Sequence, residues 1–119
     1  MVKILYEENK QQRYLSIKGH AEAQNTDDGS IICSACSMVT YLMAQNINDM
    51  SASGIVDIVS IKLESGDAEL IFKAKKGHEA TVDIVINAIF RGYELLAAQY
   101  EKIFSITYKG WGEINFPFC

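Results

Sequence analysis

The sequence predicts an α+β domain with the element order ββαββαβ, in which two long helices pack on one face of a mostly antiparallel sheet. Segments rich in β-branched and aromatic residues occur in pairs that are separated by short polar turns, as in β-hairpins. Two longer segments instead repeat apolar residues at three- and four-residue steps, as amphipathic helices do. Paired strands with separate helices favour helices gathered on one face of an antiparallel sheet.

The first predicted hairpin consists of strands at residues 2–8 and 11–21, joined by a polar turn at Asn9-Lys10. The stretch that follows, residues 21–31, is polar and predicts a loop. Its turn-forming and capping residues are Asn25, Asp27, Asp28, Gly29 and Ser30. Ser30 is placed to cap the helix that comes next.

The first helix is predicted from Ile32 to about Asp49. Its expected buried face holds the apolar residues at helical spacing, which are Ala35, Met38, Val39, Leu42, Met43 and Ile47. The second predicted hairpin consists of a strand at residues 54–64, a tight turn at Ser65-Gly66-Asp67 and a strand at residues 68–76.

The second helix has the clearest periodicity in the chain and is predicted at about residues 79–101. Its apolar stripe is Val82, Val85, Ile86, Ile89, Phe90, Tyr93, Leu96, Ala97 and Tyr100. A last strand is predicted at residues 104–110, followed by an aromatic tail. We expect one domain over residues 1–119 with a C-terminal extension from about residue 109, which serves as an edge strand, a dimer contact or a self-docking segment.

Composition excludes several classes of function. The net charge of −4 comes with no cluster of Lys and Arg, so we expect no nucleic-acid partner. No apolar run reaches the roughly 18 residues of a membrane span, so we expect no membrane partner. The N-terminus lacks the pattern of a signal peptide, and three cysteines is an odd number. These features favour a cytoplasmic protein with free thiols and no cofactor.

Cys33 and Cys36 form a Cys-x-x-Cys pair at the predicted start of the first helix, and three interpretations are open. A dithiol redox site needs a low-pKa thiol at a helix N-terminus with a second cysteine one turn on, which the pair satisfies, but the neighbouring residues are unlike those of thioredoxins. A zinc site needs four ligands, and only His20, His78 or Cys119 is available to complete it, with no second close pair.

The third interpretation takes Cys33 alone as a nucleophile. In the first helical turn, amide N–H groups and the helix dipole would stabilise its thiolate and later an oxyanion. His20, thirteen residues earlier at the end of the second strand, is the nearest candidate base, and a loop of that length brings two side chains together readily.

The segments IKGHAEA and IICSACS resemble the signature of the Prp family, the ribosomal-processing cysteine proteases, whose pattern runs approximately GHA…DIVCAAVS. The match includes Gly19-His20-Ala21, Ile32-Cys33, Ala35 and Ser37. The resemblance extends over the order of strands and helices up to about residue 108, including the Ser-Gly turn of the second hairpin and Gly92 in the second helix.

The resemblance implies a homodimeric cysteine endopeptidase with Cys33 as nucleophile and His20 as its histidine. In the family, this activity removes an N-terminal extension from the large-subunit ribosomal protein L-twenty-seven, which supports ribosome assembly. Phage relatives trim capsid or scaffold proteins. The substrates present a pair of aromatic residues before the cut and a small residue after it, which implies an apolar groove beside Cys33. The loop at residues 21–31 is then a lid, with Gly19 and Gly29 as its turn residues.

Two positions depart from the family pattern. The family usually has an Asp where this chain has Ser30, so Asp27 or Asp28 is a candidate for the acidic role, with Ser30 and Ser37 as further candidate supporting residues. Cys36 stands where the family commonly has a small apolar residue, so we interpret it as structural. The Ser30 departure keeps open a non-catalytic binding domain of the same fold.

Overall fold

The computed structural model describes residues 1–9, 11–20 and 27–109, apart from the side chains of residues 27–30. The elements follow the predicted order ββαββαβ. They are β1 Val2–Glu8, β2 Arg13–Lys18, α1 Asp27–Ala52, β3 Val56–Glu64, β4 Asp67–Ala74, α2 Glu79–Gln99 and β5 Phe104–Lys109. Neither helix of the described part has the length and apolarity needed to cross a membrane.

The five strands form one sheet in the order β3-β4-β2-β1-β5. The pairs β1·β2, β2·β4 and β3·β4 are antiparallel, and only β5 pairs in parallel, beside β1. The predicted α+β class with a mostly antiparallel sheet is therefore confirmed. Because β2 lies beside β4, the end of β2 is brought next to the turn between β3 and β4.

One face of the sheet carries the core. Alternate residues of β1, Val2, Ile4 and Tyr6, are buried and join a single hydrophobic cluster with residues of both helices. Val82, Ile86, Phe90 and Tyr93 are the buried residues of α2, which lie within the predicted stripe. The helices thus cover the same side of the sheet, as the periodicity of α2 indicated.

Helix α1 differs from its prediction in its start and in its buried face. It begins at Asp27, five residues before the predicted Ile32, because the stretch from Asp27 to Ile31 continues the helix rather than a loop. Aspartates are favoured in the first turn, where their charge complements the helix dipole. The buried residues of the described side chains are Ile32, Cys36, Thr40, Met43, Ala44, Ile47 and Met50. Met38 and Leu42, which we expected in the core, are 68% and 49% exposed.

The error has a physical reason. Apolar residues of α1 lie on two faces, and a polar side chain, Thr40, occupies the buried one. Its hydroxyl donates to the carbonyl of Cys36 and is hydrogen-bonded to the Tyr93 hydroxyl at 2.8 Å. A hydroxyl with satisfied hydrogen bonds is tolerated in a core, but counting apolar residues does not find it.

Candidate active site

A cavity of about 270 Å³ opens between α1, the end of β2 and the turn joining β3 to β4. Both His20 and Cys33 line it, together with Ser37. The cavity is also lined by Val2, Ile17, Gly19, Cys36, Thr40, Tyr41, Leu63, Glu64, Ser65, Gly66, Asp67 and Ala68. The structure therefore brings together the histidine and the cysteine that the sequence pairs across a gap of thirteen residues.

Backbone geometry at the end of β2 directs His20 towards the cavity. Gly19 has a φ of +104°, a conformation that residues with a side chain rarely adopt. A Cβ at this position would also overlap the carbonyl oxygen of Met1. The Gly19 N–H donates to the Gly66 carbonyl at 2.9 Å, which ties this segment to the β3–β4 turn. Gly19 thus lies in a bend where the backbone requires glycine.

Asp67, which lines the cavity, belongs to a charged network that continues on β2, β3 and β4 outside the cavity lining. The ammonium group of Lys18 pairs with Asp67 and, at 2.7 Å, with Glu69. Lys62 pairs with the other oxygen of Asp67 at 2.6 Å. Hydrogen bonds from Lys18 and Lys62 lower the pKa of Asp67, and a hydrogen bond from Lys18 lowers that of Glu69. These carboxylates are ionised partners of lysines and are poor candidates for accepting a proton near neutral pH.

Helix α1 supplies the opposite wall through residues that lie one turn apart. Residues three and four apart are neighbours on the surface of a helix, so one side of α1 carries Cys33, Cys36, Ser37 and Thr40. Cys33 is partly buried and Ser37 is exposed to the cavity. Cys36 is only 7% exposed, and burial raises the pKa of its thiol to about 11. A thiol held protonated in this way is a weak nucleophile, which favours a structural role for Cys36.

The structure corrects the position of Cys33 within its helix. Cys33 lies six residues after Asp27 and not in the first turn, where we expected it. Inside a helix, each backbone N–H bonds to the carbonyl four residues earlier. The amide groups around Cys33 are therefore committed within the helix, and the expected oxyanion donors at the helix start lie more than a turn away from it.

The remaining candidate residues precede Cys33 in the chain. Asp27, Asp28, Gly29 and Ser30 belong to the first turn of α1, so Gly29 is a helical residue and not a loop residue as predicted. Their side chains, residues 21–26 of the expected lid and the tail at residues 110–119 lie outside what the structure describes. The acidic role of Asp27 or Asp28 stays a prediction.

A family model described as cysteine protease Prp matches residues 1–105 of the chain. The chain belongs to the Prp family of cysteine proteases. The match confirms the resemblance inferred from the segments around His20 and Cys33, and it covers every strand and helix up to the first residues of β5.

Solved structures share the fold of this Prp-family chain. One is the essential ribosomal processing protease Prp from S. aureus with a covalently linked product peptide, at a TM-score of 0.63 and 12% identity, covering 92% of this chain and 100% of that one. A further structure shows the S. aureus protein with a substrate peptide, at a TM-score of 0.62. A Streptococcus mutans protein has a TM-score of 0.63 at 15% identity, covering 92% and 95% of the two chains. No curated protein sequence matches significantly.

The structure bears on the zinc interpretation as well. Within the described residues, no group of three or more His, Cys, Asp or Glu side chains is arranged to hold a metal ion. His78 precedes the first residue of α2, at the far end of β4 from the β3–β4 turn that lines the cavity. Membership of the Prp family favours the single-nucleophile interpretation over the redox and zinc interpretations.

Sequence reasoning missed several residues that build the site. Gly66 was assigned only to a tight turn, yet it lies against His20, and Tyr41 and Leu63 supply apolar lining to the cavity. Thr40, one turn after Cys36, is hydrogen-bonded to Tyr93 and so connects α1 to α2. The Ser-Gly motif predicted a turn at Gly66, but a turn motif does not reveal which side chain packs against the turn.

Proposed function

We propose that this cysteine protease is a ribosomal-processing endopeptidase, which removes the N-terminal extension of a large-subunit ribosomal protein of the L-twenty-seven type. One observation carries the proposal, which is that His20 and Cys33 line the same cavity in a chain of the Prp family. The S. aureus Prp complexes with product and substrate peptides support a peptide substrate. A thiol nucleophile also fits a reducing, cytoplasmic setting.

The proposed reaction is acyl transfer through a thioester. His20 accepts the proton of the Cys33 thiol, and the thiolate sulfur attacks the scissile carbonyl. His20 then protonates the leaving amine as the C–N bond breaks. Water, deprotonated by His20, attacks the thioester carbonyl and releases Cys33 and a carboxylic acid. Water is the only co-reactant.

Charge that develops on the carbonyl oxygen needs a donor, and Ser37 is the candidate we favour. It is four residues after Cys33, hence on the same side of α1, and its exposed side chain lines the cavity. Its hydroxyl is able to donate a hydrogen bond to the carbonyl oxygen, whereas the amide groups around Cys33 are already hydrogen-bonded within the helix. Ser37→Ala is therefore expected to lower kcat by about 10²-fold, the effect typical of removing one oxyanion donor, with a smaller change in KM.

The substrate class follows from the lining of the cavity. Tyr41, Leu63, Val2 and Ile17 provide apolar surface beside Cys33, as the aromatic pair before the cut requires. We propose that this pair is bound there, with the small residue after the cut on the side of the β3–β4 turn. A phage relative that trims capsid or scaffold protein would share this chemistry, so the choice of protein substrate is decided by assay.

The assay uses the extended ribosomal protein from the source organism, with mass spectrometry of the products. Wild-type protein is expected to give a single cut after the aromatic pair. Cys33→Ala and Cys33→Ser are expected to abolish it, and His20→Gln to slow it by about 10²- to 10⁴-fold. Cys36→Val and His78→Gln are the matched controls and are expected to keep most of the activity.

Three results would contradict the proposal. Wild-type protein that leaves every such extension intact would favour the non-catalytic binding domain. Cutting of capsid protein alone would assign the chain to the phage-type activity. An equal requirement for Cys36 and Cys33 would restore the dithiol interpretation.

We also propose that the protein is a homodimer. The outer face of α1, away from the cavity, exposes three large apolar side chains, Ile31, Met38 and Leu42. An apolar face of this kind marks an association surface, and a second copy of the chain is the occupant we propose. Light scattering after gel filtration is expected to give twice the mass of the chain. Met38→Lys is expected to halve the measured mass. Ile84→Lys, on the exposed side of α2, is expected to leave the mass unchanged. A wild-type protein with the mass of one chain would contradict the proposal.

A further inference from the structure

The imidazole of His20 lies against a residue that has no side chain. At Gly66, in the turn between β3 and β4, a Cβ atom would overlap the Nε2 atom of His20. It would also lie 2.6 Å from Cε1 and 3.1 Å from Cδ2 of the same ring. These three atoms span the outer edge of the imidazole. The ring thus occupies the space that any residue other than glycine would fill.

The backbone conformation at Gly66 has its own requirement for glycine. Its φ is +70°, in the left-handed region. This alone would not distinguish Gly66, because Gly54 and Gly77 have φ values of +76° and +90°. A Cβ at either of those two positions would meet no atom within 4 Å. Contact with the histidine ring is therefore specific to Gly66.

Two further contacts connect the Gly66 turn to the segment that carries His20. The carbonyl of Gly66 accepts a hydrogen bond from the N–H of Gly19, the residue before the histidine, at 2.9 Å. Asp67, the residue after Gly66, pairs with Lys18 across the register of β2 and β4 and with Lys62 on β3. The turn is thus held at the glycine by a backbone hydrogen bond and at the next residue by two lysines.

We propose that Gly66 is a positioning residue for His20, and that the bare backbone of the turn is the surface that orients the imidazole towards Cys33. The inference rests on the proposed role of His20 as the base. Proton transfer depends on the base lying within hydrogen-bond reach of the thiol, and a displacement of about 1 Å costs on the order of 10²-fold in rate. A methyl group at residue 66 displaces the ring by such a distance without removing any reacting group.

The test compares Gly66→Ala with Gly54→Ala. Both substitutions place a Cβ at a positive φ of similar size, but only the first meets the imidazole. Similar losses in melting temperature are expected for the two variants. Gly66→Ala is expected to lower kcat by about 10- to 100-fold, with KM changed by less than about threefold, whereas Gly54→Ala keeps the wild-type kcat.

Gly66→Asn separates overlap with the ring from backbone strain. Asparagine tolerates the left-handed region better than alanine does, so it restores stability while it retains a Cβ. If ring displacement is the cause, Gly66→Asn recovers melting temperature but not kcat. If strain in the turn were the cause, both would recover together, and the proposal would be wrong.

A measurement that needs no substrate keeps this inference apart from the proposed function. The chain has two histidines, His20 and His78, so the ring signals in a ¹H–¹³C spectrum are few and are assigned with His78→Gln. Gly66→Ala is expected to shift the His20 ring signals and leave those of His78 in place. Unmoved His20 signals would overturn the positioning role, whatever the activity. If Gly66→Ala shifts the His20 signals but the wild-type protein cleaves nothing, the proposed function alone is refuted.

Discussion

Cys36 lines the same cavity as Cys33, one helical turn away, but its surroundings give it different chemistry. The side chain is buried and packs within the core cluster. Burial raises the pKa of its thiol, the neighbouring Cys33 raises it further, and a hydrogen bond with Thr40 lowers it, with a net value of about 11. Proximity to the cavity therefore does not make Cys36 a second nucleophile, because the reactive form of a cysteine is the thiolate.

The raised pKa of Cys36 predicts a loss of stability in alkali. Between the unfolded pKa of about 9 and the folded value of about 11, the unfolded chain loses the thiol proton while the folded chain keeps it. Stability therefore falls as pH rises through this window, by up to about 3 kcal/mol for two pKa units at roughly 1.4 kcal/mol each. Urea unfolding at pH 8 and pH 10.5 measures the loss, which should be smaller in Cys36→Val.

The comparison with Cys36→Val separates the effect of this thiol from that of the tyrosines, which lose their protons in the same pH range once the chain is unfolded. Tyr6 and Tyr93 are buried, and burial raises the pKa of each, but both are present in the two proteins. An equal alkaline loss in wild type and Cys36→Val would show that the Cys36 thiol is not desolvated.

At the level of elements, α1 and α2 approach each other closely where Gly92 faces Val39. A Cβ at Gly92 would lie 2.9 Å and 3.1 Å from the two methyl carbons of Val39. Valine has one strongly preferred rotamer in a helix, so the methyl groups have little freedom to move away. The glycine thus sets the distance between the two helices that carry the core.

This contact predicts that the effect of Gly92→Ala depends on residue 39. With Val39 present, overpacking of about 1 to 3 kcal/mol outweighs the gain of about 1 kcal/mol in helix propensity, so stability falls or stays level. In a Val39→Ala background the overlap is gone, and Gly92→Ala should stabilise by up to about 1 kcal/mol. A double-mutant cycle in urea measures the coupling, and additive effects would refute the close approach.

The elements differ in how far the sequence determines them. Both hairpins and α2 were predicted within about three residues, because each has one apolar face and a turn with clear chemistry, such as Ser65-Gly66-Asp67. Helix α1 was harder to predict, because its apolar residues serve two surfaces. Met38 and Leu42 fit a helical stripe as well as Met43 and Ile47 do, and only the packing of the other elements selects the buried stripe.

The candidate site, like the elements, was predicted from the sequence only in part. Residue type and spacing, together with the resemblance to the Prp family, led us to pair His20 with Cys33, and both residues line one cavity. The support given by Gly66 was beyond sequence reasoning, because it depends on β2 lying beside β4 rather than beside β3. The start of α1 was also missed, since polar residues such as Asp27 and Ser30 suit both a loop and the first turn of a helix.

At the scale of the whole molecule, β2 links two charged sites with different roles. Its last residue, Lys18, belongs to the network beside the cavity, while its first residue, Arg13, is buried at the other end. The guanidinium of Arg13 pairs with Asp83 of α2 at 2.6 Å and lies 3.7 Å from Glu8 of β1. Five residues of strand separate the two sites by about 17 Å, given a rise of roughly 3.3 Å per residue.

This separation predicts that stability and catalysis respond to different substitutions. Asp83→Asn removes the carboxylate that lies 2.6 Å from a guanidinium that is 5% exposed. It is expected to lower the free energy of unfolding by about 2 to 3 kcal/mol, less than for a fully buried pair because Asp83 is partly exposed. Asp57→Asn, which breaks a surface pair with Lys75 at 3.6 Å, is the matched control and should cost less than about 0.5 kcal/mol. Urea unfolding measures both losses, and the cleavage assay at a temperature where all three proteins are folded should give equal kcat values. A fall in kcat for Asp83→Asn under those conditions would show that the Arg13 end of the sheet governs the geometry at His20 as well as the stability of the fold.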